Sequence, residues 1–225
     1  METVSGSRLP KASYKFYRAM YRLASPCIRL FRPFEVIGSE NMIDGAAMVC
    51  SNHSAMIDPF HIALAFGIET NIHVIAKVEL FKVPIISTVL WKMGMISVDR
   101  SVSDIASIKA SLSYLKCGEK VVIFPEGTRT SEHDAQSAKS GAVKLAERAG
   151  VPLIPVFISR NKPFFKKSQV VFGKPYCIEK LKKKRQADDY SILSEELMNK
   201  IQALDPVCDC KNKNHSRNEN LKVES

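Results

Sequence analysis

No stretch of the 225-residue sequence reaches 18 consecutive apolar residues, so no ordinary membrane-spanning helix is expected. No short apolar core follows the basic residues of positions 1–15, so no secretory leader is expected either. Internal repeats and long low-complexity tracts are missing, and one compact domain with short appendages is the expectation for this length. Cysteine is limited to six residues. Cys27, Cys50, Cys117 and Cys177 are scattered, with Cys50 and Cys117 in or near apolar segments, and they read as small buried hydrophobes in a reducing compartment. Cys208 and Cys210, with His215 nearby, have the wrong spacing for a zinc knuckle and no second pair beside them, so no metal site is expected.

What is present is globular and basic. The chain is 45% hydrophobic and 25% charged, with 11 Phe and 6 Tyr as core material. A formal charge of +10 suits a nucleic acid, an anionic lipid surface or an acidic carrier protein. Seven Lys or Arg face one acidic residue in positions 1–34. Lys11, Lys15, Arg18, Arg22 and Arg29 recur at helical spacing as one basic stripe, beside an apolar stripe of Phe16, Met20, Leu23, Cys27 and Phe31. Such a segment lies in a membrane interface or packs on the domain with its arginines in water. Pro26 is expected to kink or split it. A second basic cluster, positions 160–185, holds ten Lys or Arg against Glu179. It reads as a solvated rim or a second lipid contact. No finger, RNP or GXXG-type module accompanies it, so no nucleic acid partner is expected.

Strand and helix patterns alternate along the rest of the chain. Strands are expected at 46–50, 72–76, 95–98, 120–124, 153–158 and 170–172. Helices are expected at 59–66, 102–115 with Asp104 in the first turn, 138–149 and 188–204, and a polar loop at 131–137. The apolar run 81–93 suits either an acyl-chain cleft or a buried core helix. This pattern specifies an α/β fold: a single domain with a central, mostly parallel or mixed sheet flanked by helices, preceded by an N-terminal amphipathic helical segment. The expected boundaries are 1–34 for the basic segment, 35–205 for the domain and 206–225 for a polar tail.

Two strands end in compact polar loops. The first loop, Ser51-Asn52-His53-Ser54-Ala55-Met56-Ile57-Asp58-Pro59, follows the strand at 46–50. Asn52 and Ser54 are expected to satisfy backbone groups locally. His53 is suited to proton transfer near neutral pH, and Asp58 to fixing its tautomer and stabilising the imidazolium. The spacing alone fits a surface pair or a helix cap equally well. The second loop, Phe124-Pro125-Glu126-Gly127-Thr128-Arg129-Thr130, follows the strand at 120–124. Two such loops are how a site is built from distant parts of a chain.

With these residues the chain resembles the glycerolipid acyltransferase family. Four blocks carry the resemblance in order: Asn52-His53 with Asp58; Gly94-Met95-Ile96-Ser97-Val98-Asp99-Arg100, preceded by Lys77-Val78-Glu79-Leu80; Phe124 to Arg129; and Val151-Pro152-Leu153-Ile154-Pro155-Val156. Ala55 departs from the serine that many members carry. The resemblance implies an O-acyltransferase that moves a fatty acyl group from an acyl thioester to lysophosphatidic acid, giving phosphatidic acid, with His53 and Asp58 catalytic. It also implies acyl-acyl carrier protein or acyl-CoA as co-substrate, no further cofactor, and peripheral or monotopic attachment at the cytoplasmic face of the cell membrane.

It assigns Glu126, Gly127, Thr128 and Arg129 to acceptor binding. Arg129 offers phosphate a bidentate fork, and Lys77 and Arg100 are second candidates. Glu126 could hold Arg129 or bind acceptor hydroxyls. The oxyanion donors could be amides after His53 or in the block from Gly127. The competing readings are acylation of another lysophospholipid or an amino-acid-derived lyso-lipid, a thioester hydrolase, and a basic binding protein without activity.

Overall fold

The computed structural model describes residues 12–99, 104–125, 132–179 and 185–206, and of 132–139 only the backbone. Helix α1 (Tyr14–Phe31) starts where the Ser13 side chain accepts from the Phe16 amide, and it runs unbroken through Pro26. The expected break does not occur. Proline at 26 leaves the Arg22 carbonyl without a helical donor, and both residues lie on the exposed side, where water can replace it.

Strand β1 (Phe34–Ile37) and β2 (Ala47–Ser51) follow, then α2 (Asp58–Phe66), β3 (Ile72–Lys77), α3 (Pro84–Lys92) and β4 (Ile96–Val98). The chain continues with α4 (Ile105–Lys116), β5 (Lys120–Ile123), α5 (Glu132–Ala149), β6 (Leu153–Ile158), β7 (Ser168–Phe172) and α6 (Ala187–Ala203). The strands form one sheet in the order β1-β7-β6-β2-β5-β3-β4. Strands β6, β2, β5, β3 and β4 are mutually parallel, while β7 runs antiparallel to β6 and carries β1 parallel to itself. The mostly parallel, mixed sheet is therefore as expected.

Side chains alternate across the sheet, and each face has its own core. Met48, Cys50 and Val121 pack on one side with Val143, Ala146, Leu197 and Ile201 from α5 and α6. Ala47, Val49, Val122 and Ile154 pack on the other with Ile62 of α2 and Leu90 of α3. The register sets β2 between β5 and β6, with Val49 opposite Val122 on one side and Ile154 on the other. Strand β2 is fully buried, which fixes where its carboxyl end, and hence His53, emerges.

Several element boundaries differ from expectation for physical reasons. Helix α4 begins at Ile105 because Asp104 caps it, accepting from the Ser107 amide at 3.0 Å, rather than lying within its first turn. Helix α5 extends back to Glu132, through the stretch expected to be a polar loop. Its first turns are rich in helix-forming Glu, Ala and Gln but lack an apolar stripe, so periodicity is silent there. Helix α3 buries no residue completely: Leu90, with Phe81 and Met93 beside the helix, packs on the core while Ile85 is 81% exposed, so 81–93 is a surface segment with one face on the core. Of the scattered cysteines, Cys50 alone is buried, and Cys27, Cys117 and Cys177 are exposed.

Candidate active site

In the parallel block, β2, β3, β5 and β6 all end on one edge of the sheet. Chemistry in open α/β folds gathers outside such carboxyl ends. Strand β2 delivers His53 there and β5 delivers Phe124, whose ring stacks on the His53 imidazole at 4.3 Å between centroids.

Asn52 does not act locally, as the sequence led one to expect. Its side-chain amide donates to the Ile158 carbonyl at 2.8 Å and accepts from the Ile158 amide at 2.7 Å. A side chain thus continues the β2–β6 ladder one step past Ser51, whose partner is Val156. The backbone is then free to turn at His53 while both Ile158 groups stay satisfied.

Asp58 is fully buried at the first residue of α2. Its carboxylate turns back over the preceding loop instead of capping the helix. Oδ2 accepts from the Ser54 amide at 2.7 Å, the Ala55 amide at 2.8 Å and His53 Nδ1 at 3.0 Å. Oδ1 faces the ammonium of Lys162 at 2.9 Å. Burial raises the Asp58 carboxyl, but the donors from His53, Ala55, Lys162 and Ser54 outweigh it and hold it at about 2. An anionic Asp58 keeps the proton of His53 on Nδ1, which leaves the lone pair on Nε2. The His53 side chain remains 35% exposed, so that nitrogen belongs to a group reachable from outside.

Lys162 was not singled out by the sequence reading beyond its membership of the basic cluster. It lies in the β6–β7 loop with its side chain only 3% exposed. Its Nζ also donates to Ser54 Oγ at 2.5 Å. Ser54 therefore serves a distant lysine rather than its own backbone. A lysine buried this deeply is held by charge pairing, but nothing in a run of ten basic residues marks which one turns inward. The two amides committed to Asp58, those of Ser54 and Ala55, are no longer free to bind an oxyanion.

The other site expectations are divided. Lys77 ends β3 on the same edge as His53 and is partly exposed. Arg100, Glu126, Gly127, Thr128, Arg129 and Lys11 lie outside the described residues. Lys15, Arg18, Arg22 and Arg29 are exposed on α1, and Arg18 pairs with Glu69 at 2.6 Å. Among the described residues no group of three or more His, Cys, Asp or Glu gathers as a metal site. No helix among them is long and apolar enough to cross a membrane.

Known proteins resemble this chain in sequence and in fold. The acyltransferase family model matches residues 33–159. A 1-acyl-sn-glycerol-3-phosphate acyltransferase of Bacillus subtilis is 38% identical over 148 residues, covering 63% of this chain and 72% of that protein. The enzyme of that description from Borreliella burgdorferi is 32% identical over 141 residues, covering 61% of this chain and 55% of its own length. The chain thus spans little more than half of some relatives it matches. The crystal structure of the 1-acyl-sn-glycerophosphate (LPA) acyltransferase, PlsC, from Thermotoga maritima superposes with a TM-score of 0.56 over 86% of this chain and 79% of that one, at 23% identity. That likeness concerns the fold. With the family model spanning both the His53 loop and the strand that carries Phe124, the chain belongs to the glycerolipid acyltransferase family.

Proposed function

We propose that this chain transfers a fatty acyl group from an acyl thioester to the free hydroxyl of lysophosphatidic acid, giving phosphatidic acid. The observation that carries the reading is the buried Asp58, held by the Ser54 and Ala55 amides and joined to the exposed imidazole of His53. The relatives' names supply the acceptor. Acyl-acyl carrier protein or acyl-CoA supplies the acyl group, and no further cofactor enters the reaction.

In the proposed step His53 Nε2 takes the proton of the acceptor hydroxyl as that oxygen attacks the thioester carbonyl carbon. Asp58 stabilises the imidazolium that results. The tetrahedral intermediate collapses, the ester C–O bond remains, the C–S bond breaks, and the departing thiolate takes the proton from His53. A positioned general base of this kind contributes about 10²–10⁴-fold. No acyl-enzyme is required. Ser54 is not in a nucleophile-elbow pattern, and its hydroxyl accepts from Lys162. Arg129 is assigned to the acceptor phosphate, with Glu126, Gly127 and Thr128 beside it and Lys77 and Arg100 as further cations. The apolar, outward-facing α3 suits an acyl chain. Peripheral or monotopic attachment at the cytoplasmic face of an anionic membrane completes the proposal. The basic stripe of α1 supplies electrostatic attraction.

The test is thiol release from palmitoyl-CoA and from acyl-acyl carrier protein, with and without 1-acyl-glycerol-3-phosphate, with the product weighed by mass spectrometry. Acceptor-dependent release with phosphatidic acid formed is the expected result. Release without acceptor would assign a hydrolase. Turnover confined to another lyso-lipid would replace the acceptor while keeping the chemistry.

A further inference from the structure

The β6–β7 loop carries more than Lys162. Phe164 and Phe165 follow it, 60% and 65% exposed, and then Lys166 and Lys167, both exposed. Two adjacent phenylalanines in water are costly, yet this pair is held in place rather than left loose. The Arg32 guanidinium sits over the Phe164 ring at 3.7 Å, and its side chain donates to the Lys162 carbonyl. The Phe165 amide donates to the Phe31 carbonyl at 3.0 Å, and the two rings pack at 5.5 Å. Phe165 has a φ of 60°, a left-handed conformation that bulky side chains rarely adopt.

The topology gives this loop company. It leaves the carboxyl end of β6, on the same edge as His53. Met56 of the His53 loop is 71% exposed there, and Ile85 emerges from the segment that leaves the carboxyl end of β3. Helix α1 runs toward this edge. Its first residue, Tyr14, bonds Glu119 just before β5 begins, at the opposite edge, and its last, Phe31, meets Phe165. Leu30, 62% exposed, therefore lies at the catalytic edge too. Exposed apolar side chains from separate connections thus converge on one edge, with Arg29, Lys166 and Lys167 among them.

We propose that this edge is the membrane-docking face, with Phe164 and Phe165 inserting into the lipid interface and Lys166, Lys167 and Arg29 meeting anionic headgroups. Aromatic and aliphatic tips flanked by lysines match the bilayer interface in both polarity and charge. The inference rests on the lipid-acyltransferase reading for its sense: a dyad facing the bilayer receives an acceptor that never leaves it. It also assigns unequal parts to the α1 stripe, since Arg29 lies at the lipid end of the helix and Lys15 at the far end.

The decisive readout is binding, which needs no turnover, so it stands or falls apart from the acyl-transfer assay. Trp91 is the sole tryptophan. In the full chain carrying Trp91→Phe and Phe164→Trp, emission shifts to the blue on vesicles of phosphatidylcholine and phosphatidylglycerol, and lipids brominated in the acyl chain quench it. Phe164→Ala with Phe165→Asn, which tolerates the left-handed backbone, weakens vesicle partitioning about tenfold or more. A tryptophan at 164 that stays unshifted and unquenched while the protein sediments with vesicles would overturn the proposal. So would a shift produced by acyl carrier protein and not by vesicles, which would assign the edge to a protein partner.

A second inference stands on different geometry. We infer that Lys162 is a positioning residue for the dyad, acting through Asp58. Its ammonium is the counter-charge on Oδ1, opposite the oxygen that holds His53. The charged or titratable groups around it among the described residues are His53, Asp58, His61 of α2 and Arg32. Lys162→Met keeps the aliphatic stem and leaves Asp58 without its counter-charge. A proton on the dyad then costs less, so the acidic limb of the kcat/KM profile moves to higher pH while KM stays within about twofold. In an Asp58→Asn background, where Lys162 has no carboxylate left to act through, Lys162→Met causes no further loss in kcat. An unmoved profile, or the same loss in both backgrounds, would overturn this role.

Discussion

Asn52 and Asp58 show how single side chains fix this site. Each does work that a backbone would otherwise do: Asn52 extends a strand ladder, and Asp58 gathers loop amides beneath the imidazole. Asn52→Ala leaves the Ile158 amide and carbonyl buried without these partners. A loss of about 1–3 kcal/mol in unfolding free energy is expected, read from urea denaturation. An unchanged midpoint at constant slope would mean that water or a shifted strand replaces both bonds. The chemical types at His53 and Asp58 were legible in sequence because their spacing is local. Lys162 was not, since its partner Ser54 is 108 positions away, and burial of one lysine among many leaves no local trace. Asn52 was read as a turn former because its real partner is equally remote.

At the scale of elements, the connections matter more than the strands. Strands β2, β3, β5 and β6 were evident as apolar runs, because strands buried on both faces need no alternation. Helix α1 was evident as a stripe, but its attachment was not. Its Tyr14 hydroxyl donates to Glu119 at 2.5 Å, and the Ser13 amide donates to the Lys92 carbonyl at 2.9 Å. Gly94 makes this junction possible. It has a φ of 74°, and a Cβ there would lie 2.7 Å from the Ala12 Cβ and 2.8 Å from His73 Nδ1. His73 in turn is buried against the Tyr114 ring, with Nδ1 at 2.8 Å from the Gly94 carbonyl oxygen and Nε2 at 2.6 Å from Glu119. Gly94→Ala is expected to lower stability by about 2 kcal/mol or more, through left-handed strain and displacement of His73. Amide exchange in the first turns of α1 rises with it. Protection equal to the parent's would show that α1 is held elsewhere.

For the whole molecule, the buried ionisable groups tie stability to pH. Burial lowers His61 from its ordinary 6.5, so the unfolded chain takes up that proton first. Its contribution is complete above about 6.5 and is lost as pH falls below it. Asp58, held at about 2 against an ordinary 3.8, adds about 2 kcal/mol at neutral pH, which is lost between about pH 4 and 2. The urea midpoint should therefore fall between about pH 7 and 5 and again below about pH 4. A midpoint that rises on acidification would contradict both assignments. The arrangement as a whole puts the dyad, the apolar loop tips and the end of α1 on one edge, and the polar tie of α1 on the other. Alternating strands and helices announced the sheet, but which edge each exposed phenylalanine occupies is a property of topology.

In the proposed reaction His53, set by Asp58, removes the proton of a lipid hydroxyl. The most direct test of that step compares the parent chain with His53→Ala in acceptor-dependent thiol release, with the lipid product identified by mass and folding checked by circular dichroism. A folded variant slowed about 10²–10⁴-fold, with the acceptor still bound, is the expected result. A folded His53→Ala chain that forms the acylated lipid at the parental rate would remove the dyad from the chemistry.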